Sequence, residues 1–401
     1  MILKRLGDLA AQPADPLLSI IGAFRADERP GKIDLGVGVY KDASGATPIM
    51  QAIRSAHGRI ADLETSKVYL GPKGWPGFAE AAKGLILGEG EAAGLSGRAV
   101  ATPTPGGCGA LRLAGELLRR GRPDAKIWAS DPTWANHKPI FAACGFEMVH
   151  YPYFDRDNGL LVEPMLAALE GAAPGDVVLL HGCCHNPTGE DLTHEAWSAV
   201  SDLIIRKDLL PLVDVAYHGL GDGMDKDLAG MRALIARAPE AIVTYSFSKN
   251  MGLYRDRVGA IMFLGQTKEE AAAVDTHILA AARQSWSMPP TYGEALAYLA
   301  LSEPALRTAW IDELAGMRAR VAGLRAGAAR ALGERFGNDR FGFLTRQKGM
   351  FSMLPLSRDD VSALRDRHAI YAAPDGRINI CGLPEDAMDR FAAAVADVVG
   401  A

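Results

Sequence analysis

The chain has no strong excess of charge of either sign: 43 basic and 48 acidic side chains leave a formal net charge of −5. That mild acidity argues against a dedicated nucleic-acid or membrane-surface binder. Cysteine is scarce. Cys108, Cys144, Cys183, Cys184 and Cys381 form no C-x-x-C pair, so reduced thiols in a cytoplasmic protein are expected. No run of roughly eighteen apolar residues occurs, and no membrane-spanning helix is expected. Lys4 and Arg5 are followed by no adequate apolar stretch before Asp8, Pro13, Asp15 and Pro16, so no signal peptide is expected. Low-complexity linkers and repeats are also missing. What is there is globular in character: 48% hydrophobic and 23% charged residues exclude a disordered or fibrous chain. At 401 residues, the chain is long enough for two or three domains.

Short β-branched runs alternate with helical patterns through the middle of the chain. Lys126–Ser130, Val177–His181, Pro211–Val215, Ala241–Tyr245 and Gly259–Leu264 read as buried strands. Between them, Leu111–Arg120 and Glu195–Lys207 read as helices. The second is capped by Thr193 and lines up Trp197, Val200 and Ile204 on one face. Such alternation implies a mostly parallel sheet with helices on both sides, and ligands at the carboxyl ends of its strands. The last quarter differs, with a long helix over Ile311–Phe336, shorter strands around Gly349–Leu354 and Arg377–Cys381, and a closing helix from Glu385. It reads as a smaller α+β unit.

Five segments carry chemistry. In Tyr245-Ser-Phe-Ser-Lys-Asn250 a lysine follows a strand end, where desolvation frees the amine to form a Schiff base. Alone, it reads as a surface lysine. In Leu212-Val-Asp-Val-Ala-Tyr217 a carboxylate lies inside an apolar strand and needs a donor or cation, such as a protonated pyridine nitrogen. A helix-capping aspartate is the plainer alternative. His185-Asn-Pro-Thr-Gly189 presents an amide in a turn, though Asn-Pro and Thr-Gly are also ordinary turn chemistry. Pro105-Gly-Gly-Cys-Gly-Ala-Leu-Arg112 is a glycine-rich helix entry able to cradle a phosphate, yet it matches neither G-x-G-x-x-G nor the P-loop. Asp131-Pro-Thr-Trp-Ala-Asn-His137 offers an indole for stacking and an imidazole, or simply a core pair.

The order and spacing of these motifs, with Arg257 eight residues past Lys249, resemble class I pyridoxal-phosphate aminotransferases, most narrowly the aspartate and aromatic amino-acid aminotransferases. Leu35-Gly-Val-Gly-Val-Tyr-Lys41, Tyr69-Leu-Gly71, Ser287 with Pro289-Pro290, Lys348-Gly-Met-Phe-Ser352 and Arg377-Ile-Asn-Ile-Cys-Gly382 extend the match from about Asp15 to the C-terminus. The resemblance implies an α/β fold of PLP-dependent transferase type I. A large domain with a mostly parallel seven-stranded sheet would span 46–305, and a smaller α+β domain would combine 1–45 with 306–401.

It also implies roles. Lys249 would hold pyridoxal 5'-phosphate as a Schiff base and move the proton at the substrate α-carbon. Asp214 would pair with the ring nitrogen, backed by His137. Tyr217 and Asn186 would bond the phenolic oxygen, and Trp134 would stack on the ring. Gly106, Gly107, Cys108, Ser246 and Arg257 would hold the phosphate, joined by Tyr69 from a second subunit. Arg377 would clamp the α-carboxylate, Arg283 from the partner would read a distal carboxylate, and Gly38, Trp134, Asn186 and Phe351 would line the substrate. A homodimer with shared sites would move the amino group of L-aspartate or aromatic L-amino acids to 2-oxoglutarate; both donor classes stay open. A decarboxylase or C–S lyase using the same cofactor, and a non-catalytic relative, are the rival readings.

The chain departs from the family's Ser-Gly-Thr-Gly loop with Gly106-Gly-Cys-Gly109, which removes hydroxyl donors and predicts weaker phosphate anchoring that Gly106→Ser would relieve. Met288 replaces an asparagine, and with Trp286 it brackets Ser287 in bulk that favours larger side chains. His181, Cys183, Cys184 and His185 are a cluster of soft ligands. Strand alternation would send the two thiols to opposite faces, so no metal is expected.

Overall fold

Seven strands form the sheet that carries the site. The computed structural model describes residues 6–12, 16–157 and 159–400; Lys4, Arg5, Pro13 and Asp15 lie outside them. The strands are β1 (Ala99–Pro105), β2 (Ile127–Asp131), β3 (Met148–Pro152), β4 (Val177–His181), β5 (Leu210–Val215), β6 (Ala241–Ser246) and β7 (Val258–Leu264). They lie in the order β1-β7-β6-β5-β4-β2-β3, and β7 alone runs antiparallel to its neighbours. A mostly parallel sheet of this kind must be covered on both faces, and strand alternation sorts its side chains accordingly. Val178, Leu180, Val213, Val215, Val243 and Tyr245 face one core. Val177, Leu179, Leu212, Ile242 and Ile261 face the other, under the helix Gly106–Gly121.

The five strands expected inside the sheet are present within a residue or two. The two edge strands, β1 and β3, were not expected. β1 contains Pro103 and Pro105, which interrupt its apolar run and which an edge strand accommodates. Thr193 caps the helix His194–Arg206 by accepting the Ala196 N–H.

The beginning and end of the chain meet. Ile33–Asp34 pairs in parallel with Ile370–Tyr371, and Phe351–Met353 pairs antiparallel with Arg377–Asn379. Asn379 Nδ2 donates to the carbonyls of Val37 and Val39, at 2.6 and 2.7 Å. The long helix extends further than expected, over Pro304–Phe336, with proline in its first turn and Gly337 closing it in the left-handed region. Leu314, Met317, Val321, Leu324 and Ala328 form its buried stripe. The expected strands around 349–354 and 377–381 are each three residues long, and the closing α-helix starts at Met388 after a single 3-10 turn. No helix among the described residues is long and apolar enough to cross a membrane.

Candidate active site

Strand direction brings the motifs together. β1, β2, β4, β5 and β6 all end at one edge of the sheet, and antiparallel β7 begins there, immediately after Arg257. That carboxyl edge is where open α/β sheets bind ligands. A cavity of about 190 Å³ lies at it, lined by Gly107, Cys108, Leu111, Trp134, His181, Asn186, Asp214, Ala216, Tyr217, Ser246, Ser248, Lys249 and Arg257.

One end of the cavity is an anion cradle. The helix beginning at Gly106 points its unpaired N–H groups and the positive end of its dipole inward. Gly106 has φ +70°, and a Cβ there would lie 2.6 Å from an Arg257 guanidinium nitrogen; one on Gly107 would lie 3.2 Å from Ser246 Cβ. The backbone and the arginine therefore approach as closely as only glycine permits. A side chain at 106 would be strained at this positive φ and would shift the Arg257 guanidinium, which works against the expected benefit of Gly106→Ser. Cys108, whose Sγ lies 3.7 Å from Asn136 Nδ2, is the position open to a hydroxyl.

The other end presents an acid and its supports. Asp214 is buried on β5; Thr244, its register partner on β6, donates to Oδ1 at 2.8 Å, and His137 Nε2 lies 3.3 Å from Oδ2. Burial pushes the carboxyl up, but the His137 bond and charge and the Thr244 bond outweigh it and hold it below the usual carboxylate range. Thr133 Oγ1 lies 2.9 Å from His137 Nδ1 and 3.0 Å from His181 Nε2. Burial, then the nearby His137, drives His181 down to about 3, so it is neutral at pH 7 and serves as a hydrogen-bonding group. Thr133 and Thr244 went unnoticed in the sequence. Thr133 lies within a quoted motif, whereas Thr244 is reached only through sheet register.

Lys249 follows β6 with its ammonium 5.1 Å from the Tyr217 ring centre. Burial and Arg257 lower its pKa, and Asp214 and Cys108 oppose them. Asn186 Nδ2 donates to the Tyr217 hydroxyl at 3.1 Å, while Asn186 Oδ1 is buried without a partner. Burial raises the Tyr217 phenol; the Arg377 charge and the Asn186 bond work against it.

Arg377 lies just outside the cavity lining. It donates to Gly36 O at 3.1 Å, packs 4.6 Å over the Phe351 ring, and keeps a buried Nε with no partner. Phe351 stands edge-on to Tyr217 at 5.8 Å, and a Cβ on Gly38 would come within 3.1 Å of its ring. Gly38, Phe351 and Arg377 are thus contiguous with the cavity through Tyr217. Tyr69 and Arg283 are not. Tyr69 is 84% exposed, and Arg283 is exposed near the end of the helix Lys268–Trp286.

Strand alternation does not keep the two thiols apart: Cys183, Cys184 and Asp227 bring their ligand atoms within 4.8 Å of one another. The strand ends at His181, and Cys184 adopts φ +51°, so alternation does not continue through the pair. Asp227 is nevertheless committed to capping a loop: its carboxylate accepts the N–H groups of Gly219, Gly221, Asp222 and Gly223. The bond to Cys184 lowers the Cys183 thiol, but burial and the nearby Asp227 and Asp191 carry it up to about 12; the bond to Cys183 and burial both push Cys184 up, so the thiols stay protonated.

A buried carboxylate facing a lysine, an amide and a phenol, with a glycine and arginine anion cradle opposite, suits a phosphorylated pyridine aldehyde. The buried Asp214 carboxylate, the Asn186 amide nitrogen beside the Tyr217 hydroxyl and the close-fitting Gly106 and Gly107 backbone mark where such a group would be met. Fold and site together define a pyridoxal-phosphate-dependent enzyme of the mostly parallel α/β type.

The chain belongs to the aminotransferase class I and II family, whose model matches residues 30–395. It is 46% identical over 396 residues to an aromatic-amino-acid aminotransferase of Pseudomonas aeruginosa, covering 99% of each chain. An aspartate aminotransferase of Salmonella typhi is 42% identical over 393 residues, covering 98% of this chain and 99% of that one. The solved structure of an aromatic-amino-acid aminotransferase from Burkholderia pseudomallei, covalently bound to pyridoxal phosphate, superposes with a TM-score of 0.95. It is 38% identical and covers 99% of this chain and 100% of that one. The protein is a PLP-dependent aminotransferase.

Proposed function

We propose that the enzyme moves the amino group of L-aspartate and of aromatic L-amino acids to 2-oxoglutarate in two half-reactions at one site. The observation that carries this reading is the meeting of Lys249, Asp214, Asn186, Tyr217 and Arg257 in one cavity beside Arg377. When bound, pyridoxal phosphate supplies an electron sink for the pair left at the substrate α-carbon. Lys249 would hold the group through Nζ, and the same amine would take the proton at the substrate α-carbon and return it. A lowered amine pKa suits that exchange. Asp214, kept ionised, would hold a proton on the ring nitrogen of the bound group. Asn186 and Tyr217 donate to the phenolic oxygen, and Trp134 covers the ring face. Gly106, Gly107, Cys108, Ser246 and Arg257 bind the phosphate. Arg377 takes the α-carboxylate bidentately, with Asn186 beside it and Gly38 and Phe351 bounding the pocket.

In this reading the large domain is 46–305, and 1–45 with 306–401 form the smaller one. The strand pairs joining 33–34 to 370–371 and 351–353 to 377–379 support that division. Tyr69 and Arg283 serve the site of a second copy. Exposed Leu63, Val68, Tyr69, Leu70 and Tyr292 make the apolar face that the copy would cover. The five unbridged cysteines accord with a cytoplasmic location.

The test is direct. Purified enzyme with L-aspartate, L-phenylalanine or L-tyrosine plus 2-oxoglutarate should form glutamate, and Lys249→Ala should abolish both glutamate and the absorbance band of the lysine-bound cofactor. No glutamate from any donor would overturn the reading.

A further inference from the structure

Arg325 is a buried cation, 2% exposed on the helix Pro304–Phe336, with no carboxylate at ion-pair distance among the described residues. Its hydrogen bonds go to one short segment instead. Nε donates to Gly349 O at 3.1 Å, and Nη1 to Leu344 O and Ser352 Oγ at 3.2 and 2.7 Å. Nη2 donates to the carbonyls of Lys348, Gly349 and Phe351 at 3.1, 2.8 and 2.6 Å. A guanidinium taken out of water without an anion is tolerated only where its N–H groups are met. The carbonyls must therefore converge on it, and that convergence fixes the backbone of 344–352.

Two parts of the substrate site hang on that backbone. Lys348 N donates to Gly189 O at 2.7 Å, which seats the Asn186 turn against it. A Cβ on Gly189 would come within 2.4 Å of Phe351 O, so no side chain fits between turn and strand. On the other side, Phe351 and Met353 pair with Asn379 and Arg377, and the Phe351 ring packs under the Arg377 guanidinium.

We propose that Arg325 is a positioning residue for the substrate carboxylate. By gathering the carbonyls of Lys348, Gly349 and Phe351, it sets the Phe351 ring under Arg377 and holds the Asn186 turn level with it, so that both groups meet one carboxylate. The proposal rests on the assignment of Arg377 and Asn186 to the substrate made above.

Arg325→Lys keeps the charge but replaces a planar fork with one nitrogen. KM and kcat are measured for aspartate, phenylalanine and 2-oxoglutarate, alongside cofactor absorbance and melting temperature. All three KM values should rise by a similar factor, roughly ten-fold or more, with a smaller fall in kcat and the absorbance band retained. Unchanged KM values overturn the proposal. So does a rise confined to the dicarboxylates, which places the effect at Arg283, or a loss of the cofactor band, which makes Arg325 a general structural element. Should the lysine variant not fold, Ser352→Ala removes a single acceptor. A common KM rise of roughly two- to five-fold is then expected, and no rise counts against the proposal. A wild-type control that makes no glutamate would instead indict the functional reading.

Discussion

Cys108 is the residue at which this site departs most from a hydroxyl-lined phosphate cradle. It lies in the first turn of the helix Gly106–Gly121 and faces the cavity, and a thiol is a poorer donor than a hydroxyl. Cys108→Thr should slow cofactor dissociation by roughly two- to ten-fold, the effect of one added hydrogen bond. Loss of cofactor absorbance on dilution or dialysis measures it, and an unchanged or faster rate would show that the thiol is not the weak point. Gly106→Ser should weaken binding, because its Cβ meets Arg257. Residues inside contiguous motifs were readable because their chemistry is local: Lys249, Asp214, Asn186 and Arg257 all reach the expected edge of the sheet. Thr244 was not readable, since its role follows from standing opposite Asp214 across β5 and β6. The cysteine pair misled because alternation was carried past the strand's end into a left-handed residue, Cys184.

At the scale of elements, the helix Thr291–Ser302 carries an unexplained acid into the core. Glu294 is fully buried, with Oε2 accepting the Trp75 N–H at 2.7 Å and Oε1 without a partner. Gly74 wraps so closely that a Cβ there would strike the carboxylate. Burial pushes this carboxyl up to about 8, and the Trp75 bond offsets only part of that rise. The folded chain therefore keeps a proton on Glu294 between about pH 4.5 and 8 that the unfolded chain releases, and stability falls as pH rises through that window. Glu294→Gln should match the wild type near pH 4.5 and exceed it by a few kcal/mol above pH 8. Denaturant unfolding at several pH values checks this, and a pH-independent difference would contradict it. The central strands and the Thr193 cap were legible because apolar runs and capping chemistry are local signals. β1 escaped because Pro103 and Pro105 interrupt its apolar run, and its place at the sheet edge, where they are accommodated, is not encoded in sequence periodicity.

For the whole molecule, the mild net charge conceals a converging set of cations, Lys249 and Arg257 in the cavity with Arg377 beside it. Arg283 and Tyr69 lie outside this group and are exposed, as are Val68 and Leu70 beside Tyr69. On the proposed dimer, the exposed Tyr69 and Arg283 of each chain complete its neighbour's site. Subunit mixing tests this most directly. Lys249→Ala and Arg283→Ala chains should each be inactive towards aspartate. Unfolded together and refolded, half the dimers would be mixed and carry one intact site of two, giving about a quarter of wild-type activity. A mixture as inactive as its parents would mean that Arg283 serves its own chain's site, and would contradict the shared-site account.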